Sequence, residues 1–294
     1  LIMNDLQTRT VFKGDKTNLK AFDPTDSLNL STKAEGKNIL KQNRAFIAEE
    51  ADKLYANDKH AILFIIQAMD AAKKDSTIKH VFSDIQPQVL SVTQFNEPTW
   101  RELEHDYLWR VAKSLPARGQ IGIFNRSHYE EVIVTRVHPE LIMQQNLPGI
   151  NHPDDVNEEF WLERYEQINN FENHLNQNGY VIIKLFLHMS KEKQRQRFLR
   201  RIRRSDKQWK FKFKDIEERQ HWQSYQYAYE EALKHTSTPH APWYVIPADR
   251  KWIIRAAVSE IVVKHLKKLN LRYPELSKDD KDKLNSAQEM LQNE

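Results

Sequence analysis

The segment Ala61–Thr77, AILFIIQAMDAAKKDST, constrains the fold more than any other part of the chain. A run of six apolar residues leads directly into a polar stretch centred on Asp70, Lys74, Asp75, Ser76 and Thr77, which reads as a buried strand feeding a loop that opens a helix. Backbone N–H groups at a helix start have no intrahelical partner, so they can hold a phosphate while a lysine neutralises its charge. That is the architecture of a P-loop. The spacing departs from the pattern, because Lys73 stands where glycine should precede the lysine and Ala68 stands where the first glycine would be.

The rest of the chain repeats the alternation. A helix over 37–57 precedes the first strand at 61–67, and a helix to about residue 83 follows the loop. A Pro-containing turn at 84–88 leads to a short strand at 90–95, a helix over 97–110, and a strand at 120–125 that delivers the sequence NRSHYEE. A long amphipathic helix over 158–178 is closed by Gly179, and the nearly continuous apolar run YVIIKLFLH at 180–188 is a strand of the kind found inside parallel sheets. A basic helical segment, an aromatic-rich helix at about 215–235, a last strand at 243–246 and helices from about 251 complete the pattern. Strands alternating with helices predict an α/β fold with a parallel sheet covered on both faces by right-handed crossovers, and ligands bound beyond the strand C-terminal ends. The loops at 68–77 and 125–131 both fall there. Residues 1–36 read as an extended arm laid on the surface, 37–270 as one catalytic domain, and 271–294 as a polar, frayed tail.

Composition narrows the class. With 294 residues and 39% hydrophobic content the chain can bury a substantial core. There is no cysteine, which removes disulfides and thiolate metal sites and fits a reducing compartment. No run approaches the ~18 apolar residues of a membrane span, and the first residues lack the pattern of a signal peptide, so the expectation is a soluble cytoplasmic protein. The formal charge is only +4, yet between Lys191 and Lys214 twelve basic residues face just Glu192 and Asp206. So one-sided a run repels itself and suits a position opposite phosphates.

With these residues in place, the chain resembles the type 2 polyphosphate kinase family, in its class III branch acting on AMP and ADP. The resemblance runs from about residue 10 to 268. It is carried by IIQAMDAAKKDSTIKHVFS, by LEHDYLWRVAKSLPARGQIGIFNRSHYEEVIVTRVHPE, by LHMSKEKQRQRFLRRI and by STPHAPWYVIPADRKW. It implies a three-layer P-loop kinase-like fold with a helical lid at about 190–235. The implied activity moves phosphoryl groups reversibly from inorganic polyphosphate to AMP and ADP, with ATP among the nucleotides, Mg²⁺ as cofactor, and a homo-oligomeric state.

The resemblance also assigns roles. Lys74 would hold the transferring phosphate oxygens, and Asp70 would position the acceptor or Mg²⁺. Ala71, Ala72, Lys73, Asp75, Ser76 and Thr77 would form the rest of the phosphate loop. Arg126 would contact phosphate with its forked guanidinium, Glu130 would help orient the nucleotide, and Asn125 stands where other branches carry an aspartate. Arg197 and Arg201, one helical turn apart, would point at one polyanion from a shared helix face. His128 reads as a packed structural histidine, because phosphoryl transfer rests on positioning and charge neutralisation. Trp209, Phe211, Phe213 and Trp222 are expected to pack the lid helices, not to stack nucleic-acid bases, and His80, His105 and His138 lack metal-ligand spacing.

The departures leave alternatives open. Besides Lys73 and Ala68, Ser76, Asp84 and Val89 stand where glycines are common. Lys73 could crowd the phosphate or force the loop open, or it could point away and add cationic attraction. An ATP-dependent nucleoside monophosphate kinase and a catalytically impaired polyanion-binding homologue are the competing functional readings.

Overall fold

The computed structural model of the chain describes residues 12 and 18–294. Five strands, β1 (Ala61–Gln67), β2 (Leu90–Gln94), β3 (Ile121–Asn125), β4 (Tyr180–His188) and β5 (Trp243–Pro247), form one sheet in the order β2-β3-β1-β4-β5. Every pairing is parallel. From β1 the chain runs to the far edge, returns to β3 beside β1, and then crosses to β4 on the other side, so the order reverses at β1. In sheets of this kind the crevice past the strand ends at the reversal is where ligands bind.

The described residues form twelve helices: α1 (Lys33–Asn57), α2 (Lys74–Val81), α3 (Trp100–Leu103), α4 (Trp109–Ala112), α5 (Glu130–Val137), α6 (Glu158–Gln177), α7 (Lys191–Arg203), α8 (Ser205–Gln208), α9 (Lys214–Glu218), α10 (Trp222–Thr236), α11 (Lys251–Leu269) and α12 (Lys278–Gln292). One group, α1, α2 and α11, packs together, and a second group is built from α5, α6 and α10. This three-layer α/β arrangement is the one the alternating pattern predicts. All residues of β1, β3 and β5 are buried, which is why they read as apolar runs, with the polar Gln67 and Asn125 only at the ends of β1 and β3. At the edge, β2 is only partly covered, and Val92 is exposed.

Local chemistry explains where element boundaries differ from the sequence pattern. The first helix begins at Lys33 because the Thr32 hydroxyl accepts from the Glu35 N–H, while the Ser31 N–H donates to the Glu35 carboxylate. The helix expected over 97–110 is instead two single turns. A capping box of Thr99 and Glu102 starts the first, which ends at Glu104, and ahead of the second Asp106 accepts the Leu108 N–H at 2.9 Å, a local bond that competes with a continuous helix. The aromatic-rich helix is likewise broken into α9, a 3₁₀ turn at Arg219–His221, and α10. The tail expected to fray contains α12, capped by Ser277, whose residues are all exposed.

Part of the N-terminal arm lies outside the described residues. The described part does more than lie on the surface: Phe12, Leu19, Leu28 and Leu30 are buried in the core, and the Phe12 N–H donates to the Trp243 carbonyl on the β5 edge at 2.9 Å. On β3, Gly122 allows a close approach by Pro116. A β-carbon there would sit 2.7 Å from Pro116 Cγ, in a ring that cannot rotate away. Gly122→Ala is therefore expected to destabilise the fold by about 1–3 kcal/mol through overpacking, measured by chemical denaturation. An unchanged midpoint would show that the β3–Pro116 contact yields without strain.

Candidate active site

The C-terminal end of β1 delivers Ala68–Lys73, and α2 starts at Lys74. Three non-glycine residues in this region adopt left-handed backbone conformations: Ala71 (φ 66°), Lys73 (φ 80°) and Arg126 (φ 65°). Each such residue carries a steric penalty of about 1–2 kcal/mol, so the loop is held against local preference by its surroundings. The holding groups are visible. Arg197 on α7 donates to the carbonyls of Ala71 (3.0 Å), Ala248 (2.7 Å) and Asp249 (3.2 Å). Gln194 Nε2 donates to the Asp70 carbonyl at 3.1 Å, and the Arg126 N–H donates to the Ile66 carbonyl at 3.2 Å.

Lys74 is partly buried, and its ammonium donates to the Ala68 carbonyl at 3.0 Å. Burial pushes its pKa down, and the Arg126 guanidinium adds to this, against the opposing pull of Asp70, Glu130 and Asp75. Arg126, at the end of β3, donates to Asp70 Oδ1 at 3.1 Å and lies 3.9 Å from the Glu130 carboxylate. Burial works against its charge, but Glu130 and Asp70 outweigh it and raise its pKa. Glu130 moves the other way, with burial pushing the carboxyl up more than Arg126 and Lys74 pull it down. Cations and carboxylates thus alternate at one point, which suits a phosphate that brings its own charge.

The other loop residues are placed by side-chain contacts. Thr77 is buried, with its hydroxyl donating to the Lys73 carbonyl at 3.0 Å; Ser76 accepts from Arg255 at 3.0 Å. Asp75 accepts from Asn125 Nδ2 at 2.7 Å, leaving Asn125 Oδ1 buried without a partner among the described residues. Ala72 is buried behind the turn.

Asp70, Arg126 and Glu130 line one end of a cleft of about 640 Å³, within the range of small-ligand sites. Its walls come from the β2 exit with Phe95 and Pro98, from α5 with Val134 and Thr135, and from α9, α10 and the turn between them. Arg110 lies 5.3 Å over the Phe95 ring. Lys214 on α9 reaches Glu97 across the mouth at 3.2 Å. These cleft walls carry no phosphate motif, and their role emerges only when distant segments converge.

Arg197 and Arg201 do not share a partner here. Arg197 is occupied by backbone carbonyls, while Arg201 donates to Asp215 Oδ2 at 2.9 Å and to the Lys210 carbonyl at 3.3 Å. The expectation that four aromatics pack the lid is met by Trp222, which is buried; Trp209 and Phe213 stand exposed at 77% and 69%, in the irregular stretch between α8 and α9. His128 is buried, with neither ring nitrogen hydrogen-bonded among the described residues and Nε2 3.6 Å from Glu172.

The chain matches known proteins in sequence and in fold. Residues 30–274 match the family model described as Polyphosphate kinase 2. The ADP-polyphosphate phosphotransferase of Rhodopseudomonas palustris is 43% identical over 265 residues, covering 90% of this chain and 91% of the relative. The AMP/ADP-polyphosphate phosphotransferase of Meiothermus ruber is 42% identical over 261 residues, covering 87% and 91%. The crystal structure of polyphosphate kinase 2 from Arthrobacter aurescens TC1 superimposes with a TM-score of 0.85 at 34% identity, covering 96% of each chain. The sheet order, the loop between β1 and α2 and these matches over nine-tenths of the chain agree, and the chain belongs to the polyphosphate kinase 2 family.

Proposed function

We propose that this phosphotransferase moves phosphoryl groups between inorganic polyphosphate and adenine nucleotides, phosphorylating AMP and ADP and running in reverse from ATP. The observation that carries this reading is the placement of Asp70, Arg126 and Glu130 at one end of a nucleotide-sized cleft, directly beside the Lys74 loop. The names of the Rhodopseudomonas and Meiothermus relatives supply the donor and acceptor classes.

The acceptor's terminal phosphate would rest against Arg126, whose forked guanidinium matches phosphate oxygens. Lys74 would leave the Ala68 carbonyl to neutralise the group in transfer. Such chemistry asks the protein for alignment and charge rather than for a covalent intermediate. The carboxylate oxygens of Asp70 and Glu130 fit a hard cation such as Mg²⁺. Among the described residues no group of three or more metal-ligating side chains exists, so an ion here would take its remaining ligands from phosphates and water. Bound there, Mg²⁺ would supply neutralisation of phosphate charge.

The test is purified protein with Mg²⁺, AMP or ADP, and either polyphosphate or ATP as donor, with nucleotide products followed. Polyphosphate-dependent formation of ADP and ATP is expected. Phosphorylation of AMP from ATP alone would instead favour the nucleoside monophosphate kinase. Arg126→Ala is expected to lower kcat by about 10²–10³-fold. Retention of wild-type kcat would remove Arg126 from the phosphate site.

A further inference from the structure

Lys73 combines two unfavourable features. Its backbone is left-handed, at φ 80° and ψ 31°, where glycine would sit without strain. Burial, then the positive charges of Lys251, Arg197, Arg201 and Arg200, push its pKa down to about 8. Lys73 does not line the nucleotide-sized cleft. The same loop is bounded by α7 and the start of α11, because Arg197 joins the Ala71 carbonyl to those of Ala248 and Asp249 and Arg255 donates to Ser76.

That flank is short of negative charge. Among the described residues, neither Lys73, Arg200 nor Lys251 has a carboxylate within ion-pair distance, whereas Arg201 is paired with Asp215 and Arg204 with Asp206. Burial, then Arg200, Arg197, Arg255 and Arg204, likewise depress the Lys251 pKa. Lys73 caps α2 and Lys251 opens α11, so both lysines sit at the positive end of a helix, and these two helices pack together. The starts of α2 and α11, joined by the Arg255–Ser76 bond, together with cations that lack a carboxylate partner among the described residues, leave a local excess of positive charge that a polyanion would relieve.

We propose that Lys73, Arg200 and Lys251 form an anchoring subsite for those phosphates of the donor chain that are not being transferred, and that Lys73 stands in place of glycine because it supplies charge there. The subsite rests on the polyphosphate reading of the function. It separates the two substrates: the nucleotide occupies the cleft on the β3 and α5 side, and the donor chain runs out over α7 and α11. It also settles the alternatives for Lys73, placing the side chain beside the phosphate path rather than across it.

The test compares Lys73→Met, Lys73→Gly and Lys73→Arg with the wild-type protein, using long-chain polyphosphate and tripolyphosphate. Methionine keeps the bulk and the backbone penalty, glycine removes both, and arginine keeps the charge. Both uncharged variants are expected to raise KM for long-chain polyphosphate about tenfold, the scale of one charge-assisted contact, with a much smaller change in kcat. Lys73→Arg should stay near wild type, and Lys73→Gly should melt no lower than wild type. The double variant Arg200→Met/Lys251→Met should raise KM for the long chain but much less for tripolyphosphate, which is too short to reach a distal anchor.

Wild-type KM in Lys73→Gly would overturn the proposal and assign the Lys73→Met defect to loop shape. Equal losses for both donors in the double variant would overturn it too, by removing the distal character of the subsite. Calorimetric binding of long-chain polyphosphate without nucleotide separates this inference from the functional reading. Weaker binding by Lys73→Met than by the wild-type protein, with no turnover by the wild-type protein, would leave the anchor standing and sink the kinase assignment. Equal binding by both proteins, alongside normal wild-type turnover, would do the reverse.

Discussion

Replacing Lys74 with alanine is expected to lower polyphosphate-dependent turnover by about 10³-fold or more while leaving the fold intact. The size follows from what the residue can do. Lys74 is the first residue of α2, its Nζ lies in reach of the Ala68 carbonyl, and Arg126, Asp70 and Glu130 surround it. Phosphoryl transfer spreads negative charge over several oxygens, and a fixed ammonium beside them lowers the barrier more than any ordinary surface contact could. The stability effect should be small, within about 1 kcal/mol, because alanine suits a helix start and the carboxylates keep Arg126 as their partner. Single-turnover assays with saturating donor, together with thermal melting, would check both halves. A variant that keeps most of its turnover would show that the loop between β1 and α2 is not the phosphate loop.

The second large effect concerns stability. Glu172→Ala should destabilise the protein by about 3–5 kcal/mol, the scale for removing one partner of a buried ion pair. Lys184, in the middle of β4, is fully buried, and its ammonium donates to Glu172 Oε2 at 2.6 Å, to the Tyr129 hydroxyl at 2.9 Å and to the Thr236 carbonyl at 2.6 Å. Tyr129 in turn donates to Glu172 Oε1 at 2.7 Å. Burial pushes the Glu172 carboxyl up, but Lys184 and His128 beside it outweigh burial and hold it below the usual carboxylate range. Truncating Glu172 strands the Lys184 charge in the core. Denaturant unfolding would measure the loss, and the double variant Glu172→Leu/Lys184→Met should recover much of it, since matched apolar side chains can replace a buried pair. A loss below about 1 kcal/mol in Glu172→Ala would mean that water reaches Lys184.

This network also seats the site. Tyr129 immediately precedes α5, three residues beyond Arg126, so the bonds that tie it to α6 and β4 fix the turn from which Arg126 reaches Asp70. Gln67, at the end of β1, donates to the Ser127 hydroxyl at 3.1 Å and joins the two site-bearing strands from the other side. Little of this was legible in the chain. Lys184 is the single polar interruption in an apolar strand, and nothing local names Glu172 or Thr236 as its partners.

The strand segments, by contrast, were legible because burial on both faces demands continuous apolar runs, and AILFIIQ and YVIIKLFLH contain them whatever their neighbours do. Helix boundaries were readable to within a few residues where a cap lay in the chain, and failed at 97–110, where the Asp106 side chain bonds the local backbone, and at 215–235, where a 3₁₀ turn divides α9 from α10. The lysine and arginines proposed for the site follow from ordered motifs, since phosphate chemistry requires cations and the chain order of the motifs is linear information.

What the sequence determined by itself, then, was the parallel α/β layering and the family to which the loop motifs belong, because both follow from local residue type and order along the chain. Tertiary structure alone decided the sheet order, the walls of the cleft, and the partners of each arginine. Arg197 and Arg201 are one turn apart on α7, yet one grips the carbonyls of Ala71, Ala248 and Asp249 and the other pairs with Asp215. Lys73 was ambiguous for the same reason: whether its ammonium crowds the phosphate loop or joins the cations of α7 and α11 depends on how helices more than a hundred residues away pack beside it, and a side chain's charge has no direction until that packing supplies one.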